Sequence, residues 1–248
     1  MNYSIRKLAK ADIDYIEEVC ELLGNGYDSE TAKFFIYQDP NYKNYLSSTL
    51  GGLQDVIYIV LSSREELMGF AQVRLIQSTV FLNNIIIKPE FRGSNIATSL
   101  LAYMISSTES SQHIQTFALD VFEKNTAVLK WYMRLGMTIN GVKYWYNLMD
   151  QYRKCAADTG SSDILLKEDN SGFIQIFAGN KKIGTLIDGK TVVMRSEADT
   201  KLLTSLKRHF ESNLKGLCLV TEQELSYPVI DRSYHLQVEV DKLQLQRD

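Results

Sequence analysis

The chain has 248 residues, 45% of them apolar and 23% charged, with a net charge of −3, which suits one large or two modest domains whose core needs no disulfide or metal to hold it. Residues 1–150 carry 13 basic and 16 acidic residues and residues 151–248 carry 14 of each, so no basic stripe marks a nucleic-acid partner. The opening MNYSIRKLAKADIDYIEE lacks the apolar stretch of a signal peptide, no apolar run is long enough to span a bilayer, Cys20, Cys155 and Cys218 are scattered, and His113, His209 and His235 add no zinc spacing; a cytoplasmic protein with no membrane partner and no metal is expected.

In chain order, a strand is predicted at Tyr3–Arg6. A helix follows, capped by Asp12, with Ile13, Ile16, Val19, Cys20 and Leu23 at helical spacing, and it is stopped by Gly24 and Gly26. The aromatic stretch 27–55, broken by Asp39-Pro40-Asn41, predicts short helices near 30–37 and 41–50. VIYIVL (56–61), LMGFAQVRL (67–75) and TVFLNNIII (79–87) read as an antiparallel meander. A helix over 95–108 presents Ala97, Leu100, Leu101, Met104 and Ile105 on one face. QTFALDV (115–121) reads as a strand, Thr126–Leu135 as a helix ended by Gly136, and VKYWYNL (142–148) as a strand. The polar, small residues toward the end of 151–162 predict a linker. Beyond it lies a worn copy of the preceding half: LMGFAQV aligns with KIGTLID, the helix at 95–108 with one at 198–211, TFALDVFE with GLCLVTEQE, and KYWYNLM with SYHLQVEV. The copy lacks the turn after the third meander strand and the second helix, so it is not expected to hold a second active site. The division expected is residues 1–150, a linker at 151–162, and a smaller α+β domain at 163–248.

Two segments carry chemistry. In the first, the strand ending Ile85-Ile86-Ile87-Lys88-Pro89 runs into Arg92-Gly93-Ser94-Asn95-Ile96-Ala97 and then directly into a helix. A helix N-terminus offers unpaired N–H groups and partial positive charge, and small residues let an anion approach that backbone, so the pattern suits a pyrophosphate. It lacks the Gly-Lys-Ser/Thr ending of a Walker loop and the glycine spacing of a dinucleotide fingerprint. A plain strand–turn–helix corner is the other reading. In the second segment, Asp120 and Glu123 end a strand, Asn125 precedes a helix, and Tyr132 lies two turns along on the same face. Alone, Asn125 is equally a helix cap and Tyr132 a core aromatic.

Together the segments resemble the GNAT acetyltransferase superfamily, whose phosphate motif is Gln/Arg-x-x-Gly-x-Gly/Ala after Val-x-Pro and whose later motif is an Asn, a Tyr and a Gly-Phe-like pair. Here these read Arg92 to Ala97 after Ile87-Lys88-Pro89, then Asn125, Tyr132 and Gly136-Met137. The resemblance implies the GNAT fold, a mixed, mostly antiparallel sheet flanked by helices (α/β in the broad sense, α+β in detail), over residues 1–150. The worn copy adds a tandem arrangement with a degenerate C-terminal GNAT-like domain. One departure stands out: the middle Gly of the motif is Asn95, a residue that tolerates left-handed backbone angles but whose side chain projects toward the phosphates.

The resemblance further implies acetyl-CoA as acyl donor, with its pyrophosphate on Arg92, Gly93, Ser94, Asn95, Ile96, Ala97 and Thr98. Its pantetheine arm pairs with Ile85, Ile86 and Ile87 where that strand splays from QTFALDV, and Asn125 bonds the cofactor's amide. A primary amine of a small molecule or peptide then attacks the thioester in a ternary complex. Asp120 is the first candidate base and Glu123 the second, because Asn83 and Asn84 stand where a fourth-strand Glu is usual. Tyr132 protonates the leaving thiolate, and backbone N–H near Ile86 or Ile87 meets the oxyanion. Tyr27, Phe34, Phe35, Tyr37, Tyr42 and Tyr45, with Asp28, Glu30 and Asp39, are expected to line the acceptor entrance, with one face of Tyr144 and Tyr146 beside them. The C-terminal region shapes the acceptor groove or mediates homodimerisation. A non-catalytic GNAT-fold binding or regulatory protein is the alternative.

Overall fold

The computed structural model describes residues 2–52, 55–109, 113–155, 163–195, 197–211 and 213–245. The elements are β1 (Tyr3–Lys7), α1 (Tyr15–Asn25), α2 (Ser29–Ala32), α3 (Tyr42–Thr49), β2 (Asp55–Ser62), β3 (Leu67–Ile76), β4 (Thr79–Ile87), α4 (Ile96–Glu109), β5 (Thr116–Phe122), α5 (Thr126–Arg134) and β6 (Thr138–Asn147). They continue with α6 (Met149–Lys154), β7 (Ile164–Glu168), β8 (Ile174–Ala178), β9 (Lys181–Ile187), β10 (Thr191–Met194), α7 (Thr200–Phe210), β11 (Gly216–Thr221) and β12 (Val229–Glu239).

Two compact units emerge, and neither is continuous in sequence. The first holds residues 1–26, 46–141 and 234–248; the second holds 27–45 and 142–233. In the first unit the strands run β1-β2-β3-β4-β5, then the 234–239 half of β12, then the 138–141 half of β6. Strands β1 to β4 are antiparallel neighbours, and β5 joins parallel to β4 after the α4 crossover. Leu100, Leu101 and Met104 of α4 are fully buried, in one core with Val80 and Leu82 of β4, Phe117 and Leu119 of β5, and Leu236 of β12. Each such side chain removed from water contributes about 1.5–3 kcal/mol.

The second unit repeats this plan. β7 to β10 form an antiparallel meander, α7 crosses over, and β11 lies parallel to β10, followed by the 142–147 half of β6 and the 229–233 half of β12. The worn copy read from the sequence thus matches element for element: β9 answers β3, α7 answers α4, β11 answers β5 and β12 answers β6. Among the described residues no helix stands between β11 and β12, where the first unit has α5.

Several expected boundaries shift, each for a local reason. Asp12 does not cap α1. Its carboxylate is held by Arg6 at 2.6 and 2.8 Å and accepts from the Ala9 amide, inside a 3-10 turn over Lys10–Asp12, so the helix begins at Tyr15. Gly24 lies within α1, and Gly26 alone is its C-cap, its N–H donating to the Leu23 carbonyl. β6 starts at Thr138, earlier than the apolar pattern indicated, where Thr138 Oγ1 donates to the Gln237 carbonyl. The first residues of the expected linker form α6, and 156–162 fall outside the described residues.

The aromatic stretch 27–45 also departs from expectation, because it packs within the second unit. Tyr27, Phe35, Tyr37, Tyr42 and Tyr45 form a run of ring contacts that continues to Phe173, and Phe35 meets Trp145 edge-on. Phe34 and Tyr42 are buried. Asp39, also buried, accepts from the amides of Asn41 and Asp188, and Asp28 caps α2 by accepting from the amides of Glu30 and Thr31. Two of the three acids expected to attract a cation thus have backbone work. Tyr146 is fully buried, and its hydroxyl accepts from the Leu225 amide, so it is core.

Candidate active site

The site grows out of the end of β4. β4 and β5 pair from Thr79↔Thr116 to Leu82↔Leu119 and no further, although β4 continues to Ile87 and β5 to Phe122. The β4–β5 pairing stops there, while β4 runs on from Asn83 to Ile87. The cause lies on the other side of β4. Gln72 faces Asn84 and Val73 faces Leu82, so Asn83 is the extra residue of a bulge. A bulge bends and twists its strand, and this one stands where the parallel pairing stops. Asn84 is buried and donates through Nδ2 to Gln72 Oε1 at 3.0 Å, so the Asn83-Asn84 pair is structural: one residue makes the bend and the other anchors it. Gly69 lets β3 close on this bent segment. A Cβ there would lie 2.6 Å from the Ile86 carbonyl oxygen.

The turn after β4 has the conformation an anion cradle needs. Gly93 and Asn95 have φ of +76° and +58°, the left-handed region, so Asn95 accepts the backbone role a glycine has in the motif. Arg92, Gly93, Ser94 and Asn95 are exposed. Arg92 Nε donates to the Ile87 carbonyl and Ser94 Oγ to the Phe91 carbonyl, which ties the turn to the strand end. A Cβ at Gly93 would meet nothing within 4 Å, so space lies open over that backbone. α4 starts at Ile96, whose side chain is buried. Ile96, Ala97 and Thr98 can therefore offer the amides of a first helical turn, which lack intrahelical carbonyls. Residues Ile85 and Ile86 are half-buried and Ile87 buried.

The second segment divides between the two faces of the sheet. Phe117, Leu119 and Val121 belong to the core with α4 and Tyr132, so alternation sends Asp120 to the opposite face. Asp120, the first β5 residue past the last pair with β4, is partly exposed at the fork. Its Oδ1 lies 2.8 Å from His235 Nδ1. Glu123 Oε1 accepts from the Tyr234 hydroxyl at 2.5 Å. The structure thus separates the two candidate bases and gives each a partner from β12. Neither partner was singled out from sequence. His235 and Tyr234 lie more than a hundred residues from β5, and SYHLQVEV carries only the signal of a strand.

Asn125 stands at the N-cap of α5 but makes no side-chain cap bond, and it is exposed, with its carbonyl accepting from the Leu129 amide. Tyr132, two turns on, is 3% exposed with its ring 4.7 Å from that of Trp131. Burial raises its hydroxyl above the usual phenol range, because the charged phenolate is disfavoured away from water. A phenol in that state keeps its proton, so it is available as a hydrogen-bond donor.

The strand that stops pairing with its parallel neighbour and runs straight into a left-handed turn at a helix N-terminus lies within a family match. Residues 17–137 are a GNAT acetyltransferase-family domain. The chain as a whole has the tandem GNAT fold. It resembles a tandem GNAT protein from the clavulanic acid biosynthesis pathway, solved without acetyl-CoA, at a TM-score of 0.69 and 12% identity over 96% of this chain and 98% of that one. It also resembles a Pyrococcus horikoshii protein designated an acetyltransferase, at a TM-score of 0.62 and 9% identity over 96% of this chain and 89% of that one. At such identities the likeness is one of fold. The spore coat polysaccharide biosynthesis protein SpsD of Bacillus subtilis (strain 168) is 26% identical over 141 residues, 53% of this chain; the chain spans about half (47%) of that protein's length.

The GNAT-like second unit lacks the corresponding features. β10 pairs with β11 along all four of its residues, Thr191 to Met194, so no free strand edge extends past the last pair. No described residue between β10 and α7 has positive φ. Among the described residues of the whole chain, no three His, Cys, Asp or Glu side chains gather in a way that would hold a metal, and no helix is long and apolar enough to cross a membrane.

Proposed function

We propose that the chain is an acetyl-CoA-dependent N-acetyltransferase acting on a primary amine of a small molecule or peptide, with its chemistry in residues 1–150 and the β12 half that joins them. The observation that carries this reading is the fork: β4 and β5 part after Leu82 and Leu119, and β4 leads at once into the Gly93–Asn95 turn. The slot suits an extended pantetheine arm pairing with Ile85 to Ile87. The exposed turn and the amides up to Thr98 suit a pyrophosphate, and Asn125, whose side chain makes no cap bond, suits the arm's amide.

Acetyl-CoA supplies an activated acyl carbon, and the protein supplies position and proton management. Tyr132 gives its hydroxyl proton to the departing sulfur, and burial keeps that hydroxyl protonated until then. The amine's proton leaves on the opposite face, at the end of β5 where Asp120 stands. Glu123 is the weaker candidate base, since it faces the Tyr234 hydroxyl. The Bacillus subtilis relative is named for spore coat polysaccharide biosynthesis, and sugars bearing an amine are added to the acceptors to screen.

Calorimetric titration with acetyl-CoA, followed by a free-CoA release assay over polyamines, amino sugars and N-terminal peptides, tests the reading. Micromolar binding with turnover of one amine class is expected. No binding at millimolar ligand would make the phosphate turn vestigial, refute the enzyme reading and favour the non-catalytic alternative.

A further inference from the structure

The GNAT domain's fork holds a second ionisable side chain. His235, on the β12 strand that follows the second unit in sequence, lies beside Asp120 with Nδ1 2.8 Å from Oδ1. Its ring stacks on Phe81 of β4, 6.2 Å between centroids and 9° between planes. Phe81 pairs with Ala118, one register position before the last β4–β5 pair. The imidazole therefore sits at the fork, on the face opposite Tyr132. Its side chain is 30% exposed.

The chemistry of the contact assigns the ring's protons. An ionised carboxylate only accepts, so the hydrogen of the 2.8 Å contact is on Nδ1. In the neutral ring Nε2 then carries a lone pair. The stack on Phe81 and the bond to Asp120 fix the direction of that lone pair, as a carboxylate orients a histidine in other acyl-transfer sites. Asp120 of β5 and Phe81 of β4 lie against the ring, and a side chain at Gly141 of β6 would come within 3.7 Å of His235 Cβ. Of these, Asp120 alone is charged.

We infer that His235 Nε2, not the Asp120 carboxylate, takes the proton from the acceptor amine, with Asp120 as the residue that positions the ring. This rests on the acetyltransferase reading. The ammonium form of the acceptor gives one proton to Nε2. The neutral nitrogen forms the C–N bond as the C–S bond breaks, and Tyr132 protonates the sulfur. The second amine proton restores Tyr132 through solvent, and His235 returns its proton to water.

His235→Gln, Asp120→Asn and wild type are compared across pH with two acceptors, an alkylamine that is ammonium in the assay and an arylamine that is already neutral. His235→Gln is expected to lower kcat/KM for the alkylamine by about 100-fold or more and to remove the acidic limb of its pH profile. Arylamine turnover and acetyl-CoA affinity should stay within about 3-fold, an outcome a merely structural role for His235 would not give. Asp120→Asn should lower alkylamine turnover by at least about 10-fold, since it mispositions the ring. Equal loss on both acceptors, or an acidic limb that survives in His235→Gln, overturns the inference and leaves the acetyltransferase reading standing. A wild type that turns over neither amine class overturns both.

Discussion

Tyr132→Phe isolates a single proton. The ring is 3% exposed and packs at 4.7 Å from Trp131, and phenylalanine keeps that packing while deleting the hydroxyl. If the hydroxyl donates to a thiolate leaving group, the lost interaction is a hydrogen bond to a charged atom, worth about 1.5–3 kcal/mol. At 1.36 kcal/mol per tenfold, kcat should fall about 10- to 150-fold. Acetyl-CoA affinity should hold within about 2-fold, because the bond forms only as charge develops on sulfur. Stability gives a second reading. Burial raises the folded-state hydroxyl above its unfolded value near 10, so its contribution is complete below pH about 10 and is lost as pH climbs from there. Wild type should therefore lose melting temperature between neutral pH and pH 11 more steeply than Tyr132→Phe. The assays are free-thiol release under saturating acetyl-CoA, calorimetric titration, and melting curves at pH 7 and 11. A kcat unchanged by the substitution, or a fall matched by equal loss of acetyl-CoA affinity, would refute the donor role.

Gly69→Ala probes the bent strand from behind. The new methyl must displace the Ile86 backbone, 2.6 Å away, at a cost of about 1–3 kcal/mol. Acetyl-CoA affinity should fall at least 10-fold; an unchanged value would mean that the Ile85–Ile87 edge does not hold the pantetheine. Asp39→Ala leaves the amides of Asn41 and Asp188 without their carboxylate, which should destabilise the second unit by about 1–3 kcal/mol. Circular-dichroism melting should register a drop of several degrees, and an unaltered melt would show those bonds to be dispensable.

Much of the first unit was legible in the sequence because its signals are local. The alternation of VIYIVL, LMGFAQVRL and TVFLNNIII names the meander, and the stripe of Leu100, Leu101 and Met104 names its crossover helix. Arg92–Ala97 reads as a phosphate turn because helix N-termini and small residues act over a few positions, and the left-handed angle at Asn95 is a property asparagine brings with it. Even the worn repeat was visible as strand and helix order, and the sheet of the second unit matches it. The Asp12 cap failed because Arg6, six residues earlier on β1, took its carboxylate.

Sequence by itself therefore made legible the family resemblance, the strand and helix plan, and the left-handed turn at Gly93 and Asn95, since each depends on periodicity or on spacing within one loop. Tertiary structure alone decided what surrounds the two acids past the end of the β4–β5 pairing. Strand pairing places Tyr234 and His235 against Glu123 and Asp120 across more than a hundred residues, and no periodicity records which distant strand will lie beside which. It also decided what the aromatic stretch 27–45 meets: rings and carboxylates there read equally as a binding wall or as packing, and only the fold supplies their partners Phe173, Trp145 and the Asp188 amide.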